Sequence, residues 1–296
     1  MIAQLDRQAI QEEQGFSLYS MGNDAIELVA VPELGARIIS LKNLQTGREW
    51  LWHPPGGLKL FGNRWGEDFS RSPLAGIDEC FPTIAPCIWD GRILPDHGEV
   101  WNASWTVDAL AWQRGVLKTS VHSKISPFRF ERTVHLESNE VRLGYQLCNR
   151  SENAEKFLWA LHPLLRLLPG DRLQLPDSTR AKLNGVAWTD PVDAAISEGL
   201  CAKSFASPVL EGRAAVENSA TGEALEFSWK PNQNPVLGLW LSRGGWHKHH
   251  HFAIEPGNAD DDSLAVAAER NRCGIIAPNQ TIGWEVSLRL KNRTVR

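Results

Sequence analysis

The feature that most constrains this 296-residue chain is a two-residue hydrophobic period that recurs along its length. In 128–136 (FRFERTVHL), Phe128, Phe130, Arg132, Val134 and Leu136 alternate with Arg129, Glu131, Thr133 and His135. In 140–148 (EVRLGYQLC), Val141, Leu143, Tyr145 and Leu147 share one face. In 284–290 (WEVSLRL), Trp284, Val286, Leu288 and Leu290 turn away from Glu285, Ser287 and Arg289. Successive strand side chains point to opposite faces, so each run reads as a half-buried strand. Shorter runs at 25–31, 36–41, 116–122, 156–161, 225–229 and 236–241 are separated by Gly, Pro, Asn and Asp clusters, the punctuation of turns. The best helical text is 263–270 (SLAVAAER), two turns at most, with Asp262 or Ser263 as N-cap. Strands that do not alternate with helices predict an antiparallel all-β protein, a large sandwich or barrel with few short helices.

No fixed-period repeat or low-complexity linker divides the chain, and one domain over 1–296 is expected. The least patterned stretch, 170–224, is rich in Asp, Pro, Ser and Ala and reads as long loops or edge strands. With 42% hydrophobic and 22% charged residues, wholesale disorder is excluded. Charge is nearly balanced, 31 Lys+Arg against 35 Asp+Glu, which argues against a nucleic-acid partner. The N-terminal text is charged and lacks the apolar core of a signal peptide. The most apolar stretch, Phe157 to Leu168, is short and broken by His162, Pro163 and Arg166, so no membrane partner is expected. Five cysteines without a CxxC pair predict reduced thiols in a cytoplasmic protein. Phosphate-loop, dinucleotide, HExxH and GxSxG motifs are all missing, and no cofactor is expected. Oligomeric state is not legible.

One count is unusual: 13 Trp against 2 Tyr and 10 Phe. Indoles pack cores, but their flat apolar faces also suit the C–H faces of sugars. Four places could carry chemistry. His162 interrupts KFLWALHPLL, and Glu255 sits in HFAIEPG, where Pro–Gly suggests that the strand stops as the carboxylate emerges. Each alone reads first as hydrogen-bonded structure, but a carboxylate base with an imidazole acid suffices for proton transfer near neutral pH. Asp78 and Glu79 lie in GIDECFP, and DHGEVWNASW brings Trp101 and Trp105 beside His97 and Glu99. The bland reading of such acidic pairs is a hydrated loop; the sharper one is sugar-hydroxyl recognition. The run His247, His249, His250 and His251 reads as a solvated turn entering a strand rather than a metal site, and no metal is expected.

Taken in order, four segments resemble the aldose 1-epimerase (galactose mutarotase-like) family: VPELGARIISLKNLQTGREWLW (31–52), DHGEVW (96–101), LHPLL (161–165) and HFAIEPGNADDDSLAVA (251–267). The resemblance implies a galactose mutarotase-like β-supersandwich with an open cleft. It implies Glu255 as general base on the anomeric hydroxyl and His162 as general acid on the ring oxygen, with His97 binding substrate. The chain departs from the family's pattern at SPLAGIDECFP (72–82), where Asp78 and Glu79 stand in for an Arg–Asn segment. The family's further substrate-binding Asp has no good counterpart; Asp190 is a poor candidate. Arg37, Arg64 and Arg71 are the residues that could assemble into a phosphate clamp. Trp101 and Trp240 are candidate sugar platforms, with Trp105 and Trp246 beside them. A mutarotase acting on a free aldose is the leading expectation. A non-catalytic sugar-binding protein on the same fold and a two-carboxylate glycoside hydrolase using Glu255 with Asp78 or Glu79 are the alternatives, with a metal-dependent enzyme using the histidine run behind them.

Overall fold

A computed structural model describes residues 7–189 and 192–292. Asp190 lies outside the described residues. The alternating runs became strands with nearly the expected bounds: Phe128–Glu137 pairs with Glu140–Asn149, which pairs with Thr281–Lys291. Phe128, Phe130, Val134 and Leu136 are all buried, while Arg129, Thr133 and His135 between them are partly exposed. Burying one face of a period-two strand fixes its register, because a one-residue slip would turn every apolar side chain outward.

Two large antiparallel sheets result. One has nine strands, ordered Arg7–Glu13, Phe16–Gly22, Ile26–Val31, Arg37–Asn43, Ile77–Cys80, Ala160–Pro163, His249–Gly257, Val236–Trp246 and Cys201–Ala206. The other has eight, ordered Asp171–Gln174, Arg213–Asn218, Ala224–Trp229, Thr281–Lys291, Glu140–Asn149, Phe128–Glu137, Leu117–His122 and Thr106–Val107. Ile38, Leu161, Leu239 and Ile254 from the first sheet share a core with Phe130, Leu143, Phe227 and Leu288 from the second. The architecture is a large antiparallel β-sandwich. Helices are short; Leu264–Glu269 is capped by Ser263, whose hydroxyl accepts from Val266 N. Among the described residues, no helix is long and apolar enough to cross a membrane.

Two expectations needed correction. His249–Gly257 does not stop at Glu255: Pro256 still faces Leu237, and Gly257 faces both Val236 and Ala160. The acidic pair Asp78–Glu79 is not in a loop but in the wholly buried strand Ile77–Cys80. Stretch 170–224 does hold outlying strands: Asp171–Gln174 and Cys201–Ala206 lie at sheet edges, with Arg213–Asn218 next to one of them.

Candidate active site

Cross-strand register builds the site. Ala160 faces Gly257, so the same antiparallel register carried two residues on sets His162 beside Glu255. His162 also faces Asp78, Glu255 faces Gly238, and Lys203 faces Trp240. Residues directly opposite share a face. Asp78, His162, Glu255, Trp240 and Lys203 thus lie on the outer face, while their neighbours Leu161, Ile254 and Leu239 enter the core. A Cβ at Gly238 would come within 3.1 Å of Glu255 Oε2, so glycine there gives the carboxylate its room.

Over this face lies a cavity of about 130 Å3, lined by Phe69, His97, His162, Lys203, Trp240, Trp246, His251, Glu255 and Asp262 among others. Clefts that hold drug-sized ligands run to roughly 300–1,000 Å3. This one suits a single small ring, and it adjoins a broader cleft that shares Phe69, His97 and Trp246.

Glu255 is 2% exposed. Its Oε2 accepts a hydrogen bond from Lys203 Nζ, which also lies 3.4 Å from Asp262 Oδ1, while Oε1 has no partner among the described residues. Burial pushes the Glu255 pKa above the ordinary glutamate value, and the Lys203 charge pulls against it. Burial lowers the Lys203 pKa, but the charges of Glu255 and Asp262 outweigh it, so the ammonium is held more firmly than in water. His162 is likewise buried, and burial, helped by His97, Lys203 and His251, drives its pKa well below the usual imidazole range. Near neutral pH it is uncharged.

His97 sits on the far wall at the left-handed φ of 56°, its ring stacked on Phe69 at 4.0 Å and 2.9 Å from Asp96 Oδ1 through Nδ1. The other Asp96 oxygen accepts from Phe69 N at 2.8 Å, and the Asp96 carbonyl accepts from Trp101 Nε1 at 2.9 Å. This pins the loop. Gly98, at φ 79°, follows because a Cβ there would lie 2.0 Å from the Phe81 carbonyl oxygen.

The structure separates the expected residues into two groups. Glu255, His162, His97 and Trp240 line one pocket. Asp78, Glu79, Arg37 and Trp101 do not. Asp78 shares the outer face, but its Oδ1 lies 2.6 Å from Arg37 Nε and both side chains are buried. Burial raises the Asp78 pKa to about 6 against the pull of Arg37. Glu79, one residue on, points the other way into the core, where it accepts from Arg132, Tyr145 and Trp159. Trp101 and Trp105 are buried, each indole N–H spent on a backbone carbonyl, so neither is a sugar platform. The three arginines do not assemble: Arg64 and Arg71 are exposed, and among the described residues no arginine lines the cavity.

Three polar pocket residues escaped the sequence reading. Lys203 lies in the unpatterned stretch, and only the pairing of Cys201–Ala206 with Val236–Trp246 brings it to Glu255. Asp262 stood out only as a possible helix cap. His251 was grouped with a solvated turn, yet it is 2% exposed. Only His247 and Lys248 form that turn, at φ 48° and 62°, and His250 is outside, 2.6 Å from Glu198. Trp240 Nε1 donates to His251 Nε2 at 2.9 Å. An indole can only donate, so this contact places the His251 proton on Nδ1.

Solved structures with this arrangement of sheets exist. A galactose mutarotase-like protein from Clostridium acetobutylicum has a TM-score of 0.70 at 15% identity, covering 97% of this chain and 99% of its own. A protein named provisionally as an aldose 1-epimerase from Klebsiella pneumoniae gives 0.72 at 16%, covering 97% and 84%. A galactose mutarotase related enzyme from Lactobacillus acidophilus gives 0.65 at 16%, covering 94% and 99%. The chain has the galactose mutarotase-like fold. No family model and no curated protein matches the sequence. The likeness therefore lies in the galactose mutarotase-like architecture, and residue roles rest on the pocket itself.

Proposed function

We propose that this protein is an aldose 1-epimerase that interconverts the α and β anomers of an unphosphorylated aldose. One observation carries the reading: a buried carboxylate with one oxygen held by Lys203 and the other without a partner among the described residues lies across the register from a buried, neutral histidine, in a pocket sized for one ring. Glu255 Oε1 removes the proton of the anomeric hydroxyl as C1–O1 becomes a carbonyl. As the bond between C1 and the ring oxygen breaks, that oxygen gains alkoxide basicity, and the neutral His162 N–H is then a sufficient donor. Rotation about C1–C2 and reclosure, with the two residues exchanging roles, give the other anomer.

In this reading His162 acts as the general acid from its neutral form rather than as an imidazolium. His97 and Asp262 are proposed to bind hydroxyls, and Trp240 and Trp246 to face the sugar's C–H surface. Lys203 is the sole Lys or Arg among the lining residues, and two carboxylates flank it. That argues against a sugar phosphate, which calls for an arginine or lysine clamp with charge to spare. We place the activity in the cytoplasm, with a free sugar as the partner and neither nucleic acid nor membrane involved.

Anomer exchange measured by NMR over a panel of free aldoses and their 6-phosphates tests this. Wild-type protein should accelerate exchange of at least one free aldose, and Glu255→Gln should lose about 100-fold or more while staying folded. Acceleration confined to the phosphates would overturn the substrate class. Saturable binding without exchange would move the protein to a sugar-binding role.

A further inference from the structure

Beside the pocket lies a buried thiol, Cys80, that anomer exchange does not use, next to two histidines that line it. We propose that Cys80, His97 and His162 form a binding site for a thiophilic divalent transition metal, Zn2+ foremost. Among the described residues, these three are the one trio of His, Cys, Asp or Glu residues with ligand atoms close enough to hold an ion; the 247–251 histidine run forms none.

The fold supplies the arrangement. Cys80 faces Ala160 and Asp78 faces His162, so the Cys80 thiol and the His162 ring lie on one face of adjacent strands, two residues apart on the diagonal. His97 reaches over from the Asp96–Gly98 loop, its ring centroid 5.2 Å from that of His162. The three ligand atoms lie within 4.8 Å of one another. Some point is therefore within about 2.8 Å of all three, against Zn–N near 2.0–2.1 Å and Zn–S near 2.3 Å. Contraction by less than an ångström completes the shell.

Two further features point to a ligand. His162 is 7% exposed, yet its Nδ1 has no hydrogen-bond partner among the described residues. His97 Nδ1 is 2.9 Å from the Asp96 carboxylate, the outer-shell partner that metal-bound histidines commonly have, which leaves Nε2 for the ion. One thiolate and two imidazoles suit Zn2+ or Co2+ and not the oxygen-seeking Ca2+ or Mg2+. On binding, the Cys80 thiol releases its proton to solvent, and the pocket side provides the fourth position.

The test is titration of the full chain with Co2+, with Zn2+ affinity read by competition against a chromophoric chelator. One equivalent should bind with a thiolate-to-cobalt charge-transfer band in the near ultraviolet. Cys80→Ser should abolish that band. His97→Gln, nearer the surface and safer for folding, should weaken binding at least tenfold, and Asp96→Asn by about 10–100-fold. His249→Ala should change neither. The proposal is overturned if no ion binds at micromolar concentration, if binding lacks the band, or if His249→Ala removes it. Because Zn2+ would occupy His162, it should also suppress anomer exchange. That corollary alone rests on the proposed function; the cobalt spectrum needs no activity.

Discussion

Glu255 and His162 face the same problem, ionisable groups removed from water, and their surroundings resolve it differently. At Glu255 the Lys203 charge opposes the rise that burial causes, whereas the groups around His162 reinforce burial and keep it neutral. Exchange should therefore need no imidazolium, and its rate should stay flat from neutral pH to about 9. In Lys203→Met the carboxylate loses the charge that lowers its pKa, so the acid limb of kcat/KM should move to higher pH. An unmoved limb, or a wild-type rate that falls as pH rises through about 6.5, would remove these roles. His251 offers a linkage test. Burial lowers its pKa to about 3, while the unfolded chain titrates near 6.5. Between those values the unfolded state holds the extra proton, so His251 contributes stability that is fully present above pH 6.5 and is lost as pH falls toward 3. His251→Gln keeps an acceptor for Trp240. It should reduce the slope of unfolding free energy against pH, measured in urea from pH 6 to 4, by up to about 1.4 kcal/mol per pH unit. Equal slopes would mean that His251 titrates as in water.

At the scale of elements, the loop that presents His97 depends on one backbone position. Gly98→Ala would force a residue at φ 79° and drive its Cβ to 2.0 Å from the Phe81 carbonyl oxygen. Gly91 has a similar φ of 71° with nothing within 4 Å. Strain alone should cost Gly91→Ala about 1 kcal/mol, while Gly98→Ala should lose more than about 2 kcal/mol and weaken sugar binding as His97 shifts. Urea midpoints of the two variants check this, and equal losses would show that the loop yields. The contrast also marks what a sequence can disclose. Alternation located Phe128–Glu137, Glu140–Asn149 and Thr281–Lys291 because their inward residues all meet one core. Glu255 and His162 stood out as polar residues in apolar text. Lys203 and Asp262 carry no such local mark, since each matters only through strands or loops far away in the chain. The acidic pair misled for a related reason: Asp78 and Glu79 look alike in sequence, but strand parity sends one toward Arg37 and the other into the core.

Across the whole molecule, Glu79 joins the two sheets. It leaves the nine-stranded sheet and meets Arg132 Nη1 at 2.9 Å from the eight-stranded one, both at 0% exposure. Tyr145 Oη at 3.0 Å and Trp159 Nε1 at 2.8 Å also donate to it. Arg132 sits at an inward position of an otherwise apolar face, where Glu79 neutralises its charge and the Ala36 carbonyl accepts a further hydrogen bond. Burial raises the Glu79 pKa against the pull of these partners. Removing the cation leaves a carboxylate that must protonate or stay unpaired, and such losses cost about 3–5 kcal/mol. Arg132→Met should therefore destabilise by that amount. Glu79→Gln alone keeps an acceptor oxygen for only one of Tyr145 and Trp159 and strands the guanidinium, so it should also be severe. In the double variant no buried charge remains, and the loss should be at least about 2 kcal/mol smaller than the sum of the single losses. Urea unfolding of the four proteins gives the coupling. Additive losses would mean that the pair is held by packing rather than charge, and that the sheets are joined by their apolar faces alone.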